Sequence, residues 1–233
     1  MPGVMFCGGF KSDMTGSKAL ALEESCKQSG RAFTRFDYTG HGGSSGDFED
    51  GTIGAWRDDA VAIIDKVTEG PLILIGSSMG GWIMLLAALL RPERVKGLVG
   101  IAAGPDFTED LMWAKGNERQ RAELLAKGRW VLPSTYSDRP YVITRKLIED
   151  GRSHLLLRSS IPFLGPVHLV HGQADPDVPW QTSLRLAEAL QSDDVIVELI
   201  KSGDHRLSKP KEIDRIWAGV QRVLAVIDGA GEN

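Results

Sequence analysis

The chain has few cysteines, no excess of basic charge and no long apolar run, and each absence excludes a class of protein. Its two cysteines, Cys7 and Cys26, are too few for a disulfide framework and are typical of reduced thiols in a cytoplasmic protein. A formal net charge of −4 argues against a surface for nucleic acid or anionic membranes. No apolar run has the length of a membrane span, and residues 1–10 lack a secretory signal. We therefore expect a cytoplasmic protein with no nucleic-acid partner and no membrane span.

Short apolar segments alternate with longer amphipathic segments along most of the chain. The expected strands cover residues 3–6, 32–36, 72–75, 97–103, 167–171 and 195–200. The expected helices cover residues 17–29, 53–68, 79–90, 180–191 and 210–227. This alternation is typical of a parallel sheet covered by helices on both faces. With 42% hydrophobic residues the chain can bury one large core, so we predict a single doubly wound α/β domain over residues 1–233.

One long segment, residues 104–166, interrupts this alternation. A connection of about sixty residues is far longer than the two to six residues usual in such folds, so we expect a cap inserted into the domain. The predicted cap elements are a helix over residues 118–126, a hairpin of residues 130–132 and 141–143 around residues 133–140, and a further short helix.

The cap also carries large aromatic side chains in a segment otherwise rich in charge. Two interpretations are open for them: they form the small core of the cap, or they line a pocket for an apolar acyl group. The predicted pocket residues are Phe107, Trp113 and Trp130.

The most informative stretch is Leu-Ile-Leu-Ile-Gly-Ser-Ser-Met-Gly-Gly-Trp at residues 72–82. An apolar strand that breaks at Gly-x-Ser-x-Gly and continues into a helix is the pattern of a nucleophile elbow. Its register selects Ser78 as the nucleophile, held on a strained backbone. Gly76 and Gly80 flank the turn because the close approach of strand and helix leaves no room for side chains. The Met79 amide is expected to face the oxygen of a substrate carbonyl.

A nucleophilic serine needs a base and an orienting carboxylate, and in this fold class the chain order is Ser, then Asp or Glu, then His. Asp175 lies just past a predicted strand, where parallel sheets present catalytic groups, and Asp177 is its rival. His205 lies between the last strand and the last helix. We expect His205 to take the Ser78 proton, and Asp175 to fix the imidazole tautomer and stabilise the imidazolium.

The loop after the first strand is expected to supply a second oxyanion donor. In Cys7-Gly8-Gly9-Phe10 the Phe10 amide would face the Met79 amide, and the Phe10 ring would border the acyl pocket. Cys7 is disfavoured as a nucleophile because no elbow, base or helix start activates it.

The remaining histidines have structural interpretations. His41 lies in a glycine-rich loop, residues 36–44, which lacks the pattern of a phosphate cradle and is interpreted as a structural loop of tight turns. Three others lie in predicted strands or in the cap: His154, His168 and His171.

Several segments together resemble the α/β-hydrolase superfamily, and within it the branch of the mitochondrial palmitoyl-protein thioesterase and acyl-glucuronide esterase of animals. They are Arg35-Phe36-Asp37-Tyr38, Ile75-Gly76-Ser77-Ser78-Met79-Gly80-Gly81-Trp82, Arg91-Pro92-Glu93, His171-Gly172 with Asp175, Val178-Pro179-Trp180, and Asp204-His205-Arg206. The resemblance covers almost the whole chain. It implies a serine hydrolase of acyl thioesters and esters, with Ser78, Asp175 and His205 as the triad, and we expect a bacterial relative of that branch.

The chain departs from the superfamily pattern in two places. Gly8 stands where the oxyanion loop commonly has His or Pro. The chain also begins directly with the strand that ends at this loop, so the usual first pair of antiparallel strands is missing. The strand at residues 32–36 would then be a sheet edge, a site prone to pairing or aggregation. We expect either that Met1 lies within a longer gene product, or that a partner or loop covers this edge.

The preferred function is hydrolysis of a carboxylic ester or thioester through an acyl-Ser78 intermediate. The substrate is expected to be a small molecule or a lipidated protein, and no cofactor or metal takes part. One alternative is a serine peptidase of the same fold, although the cap shows no acidic cluster for a free amine. Another is a non-catalytic member that binds a small molecule. The acyl chain length, the leaving atom and the oligomeric state, with a homodimer as one candidate, stay open.

Overall fold

A six-stranded parallel sheet forms the centre of the protein. The computed structural model describes residues 1–132 and 141–230. The strands within these residues are β1 (Gly3–Cys7), β2 (Phe33–Arg35), β3 (Leu72–Ser77), β4 (Val95–Ile101), β5 (Arg129–Leu132), β6 (Tyr141–Thr144), β7 (Val167–Gly172) and β8 (Val195–Ile200). All of them except β5 and β6 belong to the main sheet. The main sheet has the order β2-β1-β3-β4-β7-β8, and all of its pairs are parallel. The predicted α/β architecture is confirmed, and the boundaries predicted for the strands of this sheet differ by three residues or fewer.

Helices cover both faces of this sheet: α1 (Ser17–Gln28) and α7 (Pro210–Ala230) on one face, and α2 (Ile53–Lys66), α3 (Met79–Leu90) and α6 (Gln181–Ala189) on the other. Two further helices, α4 (Glu118–Lys127) and α5 (Arg145–Arg152), belong to the inserted segment. Within residues 1–132 and 141–230, no helix combines the length and the apolar character that crossing a membrane requires.

The strands supply both faces of the core because their side chains alternate. Val4 and Ile73 pack in one buried cluster with α1 and α7, whereas Met5 and Leu74 pack in another with α2, α3 and α6. Strands buried on both faces need apolar residues at every position, which explains the continuous apolar runs of β1 and β3. The two clusters fix the sheet rigidly, so the loops at its carboxyl edge are held in place.

Strand β2 lies at one edge of the sheet, as the sequence predicts. It has three residues and pairs with β1 from Val4 opposite Phe33 to Phe6 opposite Arg35. A strand this short limits the unpaired backbone that an edge presents to other chains.

The described part of the cap contains the predicted helix, the two predicted strands and the predicted short helix, together with a π-helical turn that the sequence pattern does not predict. A π-helical turn (Thr108–Trp113) leads into α4, whose first turn carries a capping box between Asn117 and Gln120. Strands β5 and β6 then form an antiparallel hairpin, and α5 follows. The predicted connection between the two strands, residues 133–140, lies outside the described residues.

Candidate active site

The turn from β3 to α3 brings the strand and the helix into close contact. A Cβ at Gly76 would lie 2.6 Å from the Cα of Gly81, and one at Gly80 would lie 2.5 Å from the Gly8 carbonyl oxygen. Real Cβ contacts are longer than this, so both positions require glycine. The second contact also shows that Gly80 sets the position of the loop that follows β1.

Ser78 at the apex of this turn has φ 56° and ψ −120°, a strained conformation for a residue with a side chain. Three hydrogen bonds hold it. Its N–H donates to the Ile101 carbonyl at 2.9 Å, and its carbonyl accepts from the N–H groups of Gly81 at 2.9 Å and Gly104 at 3.0 Å. Strain of this kind persists where the surroundings fix the backbone, and it directs the Ser78 side chain away from the sheet.

Ser78 and Asp175, two of the three residues predicted as a triad, each lie within hydrogen-bond distance of the third, His205. The Nε2 atom of His205 is 3.0 Å from Ser78 Oγ, and its Nδ1 atom is 2.7 Å from Asp175 Oδ2. Asp175 follows β7, and His205 lies in the loop between β8 and α7. Parallel strands present their carboxyl ends at the same edge, which is why pairs of residues 30 and 127 positions apart meet here.

The Asp175 carboxylate is completely buried and held by four groups. Its Oδ1 accepts hydrogen bonds from the N–H groups of Asp177 at 2.8 Å and Val178 at 2.9 Å. Its Oδ2 faces His205 and, at 3.2 Å, the Nε2 atom of His171. Asp177, the rival carboxylate in the sequence, therefore contributes its backbone amide.

Burial acts to raise the pKa of the Asp175 carboxyl, but hydrogen bonds from His171 and His205 and the neighbouring His205 charge act in the opposite direction. Together with the Val178 amide they hold the pKa well below its usual range. Asp175 is consequently ionised at neutral pH and can stabilise a positive charge that develops on His205.

His171 contributes a contact that sequence reasoning missed. It is completely buried at the end of β7, and its Nδ1 lies 2.7 Å from Ser183 Oγ while its Nε2 lies 3.0 Å from the Val178 carbonyl. A proton on Nε2 then serves both Val178 and Asp175, with the Ser183 hydroxyl donating to Nδ1. The signal in the sequence was its position four residues before Asp175.

Asp175, Asp177 and His205 also offer ligand atoms within 4.8 Å of one another, which is the spacing of a candidate metal site. Both nitrogens of His205 are already engaged, one by Asp175 and one by Ser78. The geometry of this group is therefore that of a hydrogen-bonded relay.

The predicted oxyanion donors border the same pocket as Ser78. Phe10 and Met79 both line it, and Gly9 lies against the serine, since a Cβ there would be 3.4 Å from Ser78 Cβ. Within the described parts of the chain, neither the Phe10 amide nor the Met79 amide donates to a protein acceptor. These N–H groups are thus available to a ligand.

A pocket of about 620 Å³ opens beside Ser78. One part of its wall is apolar and comes from the loop after β1 and the cap: Phe10, Phe107, Leu111, Met112, Tyr141 and Ile143. Another part is polar and comes mainly from the first turn of α1 and the loop after His205: Ser12, Asp13, Ser17, Lys18, Arg206 and Ser208. The pocket beside the nucleophile therefore has an apolar and a polar compartment.

Phe107 is in this wall, but the prediction that Trp113 and Trp130 line the pocket is wrong. Trp130 is 2% exposed and packs with Leu124, Ile143 and Ile148 as the core of the cap. The Trp113 ring lies under the guanidinium groups of Arg121 and Arg152, at 5.8 and 4.7 Å. The alternative of a cap core describes these two tryptophans, because the hairpin register points Trp130 inward opposite Ile143.

The remaining candidates lie in other surroundings. Burial raises the pKa of the Cys7 thiol to about 12, so Cys7 is a poor nucleophile. His168 contacts Glu198 on β8, and His154 lies 3.6 Å from Asp150 on α5.

Comparisons with known proteins agree with this geometry. A sequence profile described as "Alpha/beta hydrolase family" matches residues 19–216. The chain belongs to this family. Among curated members of the α/β hydrolase family, it is 47% identical over 213 residues to the mitochondrial palmitoyl-protein thioesterase ABHD10 of Mus musculus, covering 91% of this chain and 71% of that protein.

Two solved structures of α/β hydrolases are similar over nearly the full length. A putative hydrolase from Agrobacterium vitis S4 has a TM-score of 0.92 and 44% identity, covering 95% of this chain and 87% of the other. The mouse alpha/beta hydrolase domain-containing protein 10 has a TM-score of 0.90 and 42% identity, covering 97% and 91%. Its similarity to these relatives shows that the chain is a hydrolase of the esterase or thioesterase type.

Proposed function

We propose that this α/β hydrolase cleaves acyl thioesters and esters by forming an acyl intermediate on Ser78. The observation that carries the proposal is the continuous relay from Asp175 Oδ2 through both nitrogens of His205 to Ser78 Oγ, with distances of 2.7 and 3.0 Å. These separations lie within hydrogen-bond reach, the condition for a general base and its nucleophile. The relationship to palmitoyl-protein thioesterases supports an acyl thioester as substrate.

In the first half of the reaction, Ser78 Oγ attacks the carbonyl carbon of the substrate while His205 Nε2 takes the hydroxyl proton. The carbonyl oxygen becomes an oxyanion, which the N–H groups of Met79 and Phe10 stabilise. The ionised Asp175 carboxylate stabilises the imidazolium of His205. Collapse of the tetrahedral intermediate breaks the bond to sulfur or oxygen, and His205 returns the proton to the leaving group.

In the second half, a water molecule takes the place of the leaving group. His205 removes a proton from this water as its oxygen attacks the acyl-Ser78 carbonyl, and the same oxyanion donors act again. The intermediate releases a carboxylic acid, and His205 returns the proton to Ser78 Oγ. The chain's residues thus complete the cycle with water as the co-reactant.

The two compartments beside Ser78 give the substrate an orientation. The acyl chain lies along the apolar wall around Phe107, Leu111 and Met112, where removing apolar surface from water favours binding. The leaving group, a thiol or alcohol of a small molecule or of a lipidated protein, lies toward the polar wall around Ser17 and Arg206. This orientation predicts selection mainly by the acyl chain.

The test compares Ser78→Ala with the matched neighbour Ser77→Ala on acyl-CoA, S-acyl peptides and p-nitrophenyl esters of graded chain length. We expect Ser78→Ala to lower kcat by about 10⁴-fold or more, because a triad acts as a unit. Ser77→Ala is expected to keep turnover of the same order as the parent. Retained turnover in Ser78→Ala would overturn the proposal.

A further inference from the structure

The backbone just after Phe10 is strained. Lys11 has φ +58°, in the left-handed region that residues with side chains rarely adopt. Because Phe10 and Lys11 share a peptide group, this dihedral helps to set the direction of the loop that carries the Phe10 amide. A strained residue of this kind keeps its conformation only where neighbouring groups hold it.

His41 is one of the groups that hold Lys11. The Lys11 N–H donates to His41 Nε2 at 3.2 Å, across thirty positions of sequence. His41 is 3% exposed, and its ring packs edge-on against Phe48 and Trp56 at centroid distances of 5.1 Å each. The Phe10 ring packs against the same two rings, at 4.8 and 5.9 Å. His41 and the oxyanion loop therefore share one buried aromatic cluster.

The hydrogen bond requires a neutral His41 with its proton on Nδ1. The Nδ1 atom lies 3.4 Å from the Thr39 carbonyl oxygen, which can accept that proton. Burial lowers the pKa of His41, and the opposing influences of the Thr39 carbonyl and the Asp37 and Asp59 carboxylates do not cancel this effect. The ring is consequently neutral at neutral pH, and Nε2 is an acceptor.

The loop that carries His41 binds the same segment at a second point. Asp37 Oδ1 accepts a hydrogen bond from the Met14 N–H at 2.7 Å, and its Oδ2 accepts one from the Gly43 N–H at 2.9 Å. Gly42, with φ +48°, leaves the space that the Asp37 carboxylate occupies. Both ends of residues 11–14 are thus fixed to the loop after β2.

We propose that His41 is a positioning residue, which orients the Phe10 amide toward the substrate oxyanion by accepting the Lys11 N–H. This role of His41 rests on the proposed function, since the oxyanion forms only if Ser78 attacks a carbonyl. Sequence reasoning assigned the loop of residues 36–44 a structural role only, and the contact with Lys11 adds a direct effect on catalysis.

The test replaces His41 by two amides that differ in reach. In His41→Gln the amide oxygen can lie near the position of Nε2, whereas in His41→Asn it reaches only as far as Nδ1. The acylation rate constant is measured from the p-nitrophenol burst, KM from steady-state turnover, and the affinity of an alkyl boronic acid that bonds to Ser78 from inhibition. Unfolding in urea is measured for each variant.

We expect His41→Asn to lower the acylation rate about 10- to 100-fold, with little change in KM. This loss is no larger than the loss that follows removal of one oxyanion donor. The boronic acid is expected to bind more weakly by a similar factor. His41→Gln is expected to recover most of the loss in both measurements. Should His41→Asn not fold, His41→Phe, which keeps the ring but lacks the acceptor, is expected to show the same loss.

Equal acylation rates in His41→Gln and His41→Asn would overturn the proposal. It would also be overturned if the acylation rate fell in proportion to the unfolding free energy in the two His41 variants and in His168→Asn alike. His168 is a partly matched control because it is buried and contacts Glu198, away from the oxyanion loop. Ser78→Ala separates the two proposals. If it is inactive while His41→Asn is unimpaired, only the role of His41 fails, whereas an active Ser78→Ala refutes the proposed function itself.

Discussion

Adding one methyl group at Gly80 is expected to displace the oxyanion loop without touching any side chain of the relay. The new Cβ would collide with the Cys7 carbonyl oxygen and lie 2.6 Å from its carbon and 2.5 Å from the Gly8 oxygen. These are backbone atoms of β1 and its loop, so relief requires a shift on the order of 1 Å in the chain that leads to Phe10. A displacement of that size at a catalytic group costs about 10²-fold in rate.

The stability change follows from the same contact. Overpacking in a dense core costs about 1–3 kcal/mol, whereas alanine in place of glycine within a helix stabilises by up to about 1 kcal/mol. Gly229→Ala is the matched control, because Gly229 also lies in a helix and a Cβ there meets no atom within 4 Å. We expect Gly80→Ala to unfold with a free energy about 1–3 kcal/mol lower than that of Gly229→Ala.

The assay combines urea unfolding with burst kinetics on a p-nitrophenyl acyl ester. Gly80→Ala is expected to lower the acylation rate by about 10²-fold or more, while Gly229→Ala leaves it unchanged. A Gly80→Ala variant with the parent's stability and acylation rate would show that this glycine does not set the position of the oxyanion loop.

Three further predictions concern the relay, the pocket and the buried thiol. Asp175→Asn is expected to lower kcat by about 10³- to 10⁴-fold, and to flatten the loss of unfolding free energy in acid. The sign follows from the lowered pKa of Asp175 in the folded state. The ionised carboxylate contributes stability above the pKa of about 4 that Asp has in the unfolded chain, and this contribution is lost as the pH falls further. Equal acid sensitivity of the parent and Asp175→Asn in urea titrations would contradict this. Phe107→Ala is expected to shift the preference in kcat/KM toward longer or bulkier acyl chains. Trp113→Ala is the control, which is expected to lower Tm and leave this preference unchanged. Identical chain-length profiles for Phe107→Ala and the parent would count against the pocket assignment. Cys7, with its pKa raised to about 12, is expected to resist iodoacetamide in the folded protein at pH 8, as followed by intact mass, so rapid modification there would disprove its inert state.

The nucleophile elbow could be read from the sequence because its determinants are local. Glycines at positions 76 and 80 and the apolar runs on either side specify the turn within about a dozen residues. The order of the relay residues could be predicted as well, since a parallel sheet collects the loops after β3, β7 and β8 at the same edge. Ser78, Asp175 and His205 accordingly meet as expected.

Which side chains of the cap are buried was harder to predict, because the direction of a side chain on a strand depends on the register of strand pairing. Trp130 is 2% exposed and its neighbour Val131 is 57% exposed, so a shift of one residue in the hairpin would exchange them. The sequence contains both residues but not the pairing of Trp130 with Ile143 that selects the buried one. Composition alone left the cap core and the acyl pocket as equal alternatives.

Contacts between distant loops were also beyond local patterns. His41 meets the Lys11 amide because β1 and β2 end side by side, and no spacing rule links two residues that are thirty positions apart. His171 is only four residues from Asp175, but its contacts with that carboxylate and with Ser183 depend on how the chain turns after β7. Their roles depend on three-dimensional distances of about 3 Å, which only the assembled sheet supplies.

The central claim is the covalent intermediate on Ser78, and trapping it is the most direct test. The protein is mixed with an excess of a p-nitrophenyl acyl ester, quenched in acid during the burst, digested and analysed by mass spectrometry. We expect an added acyl mass on Ser78, absent in Ser78→Ala. Turnover with no acyl group on Ser78, or with the acyl group on Ser77 or Cys7, would contradict it.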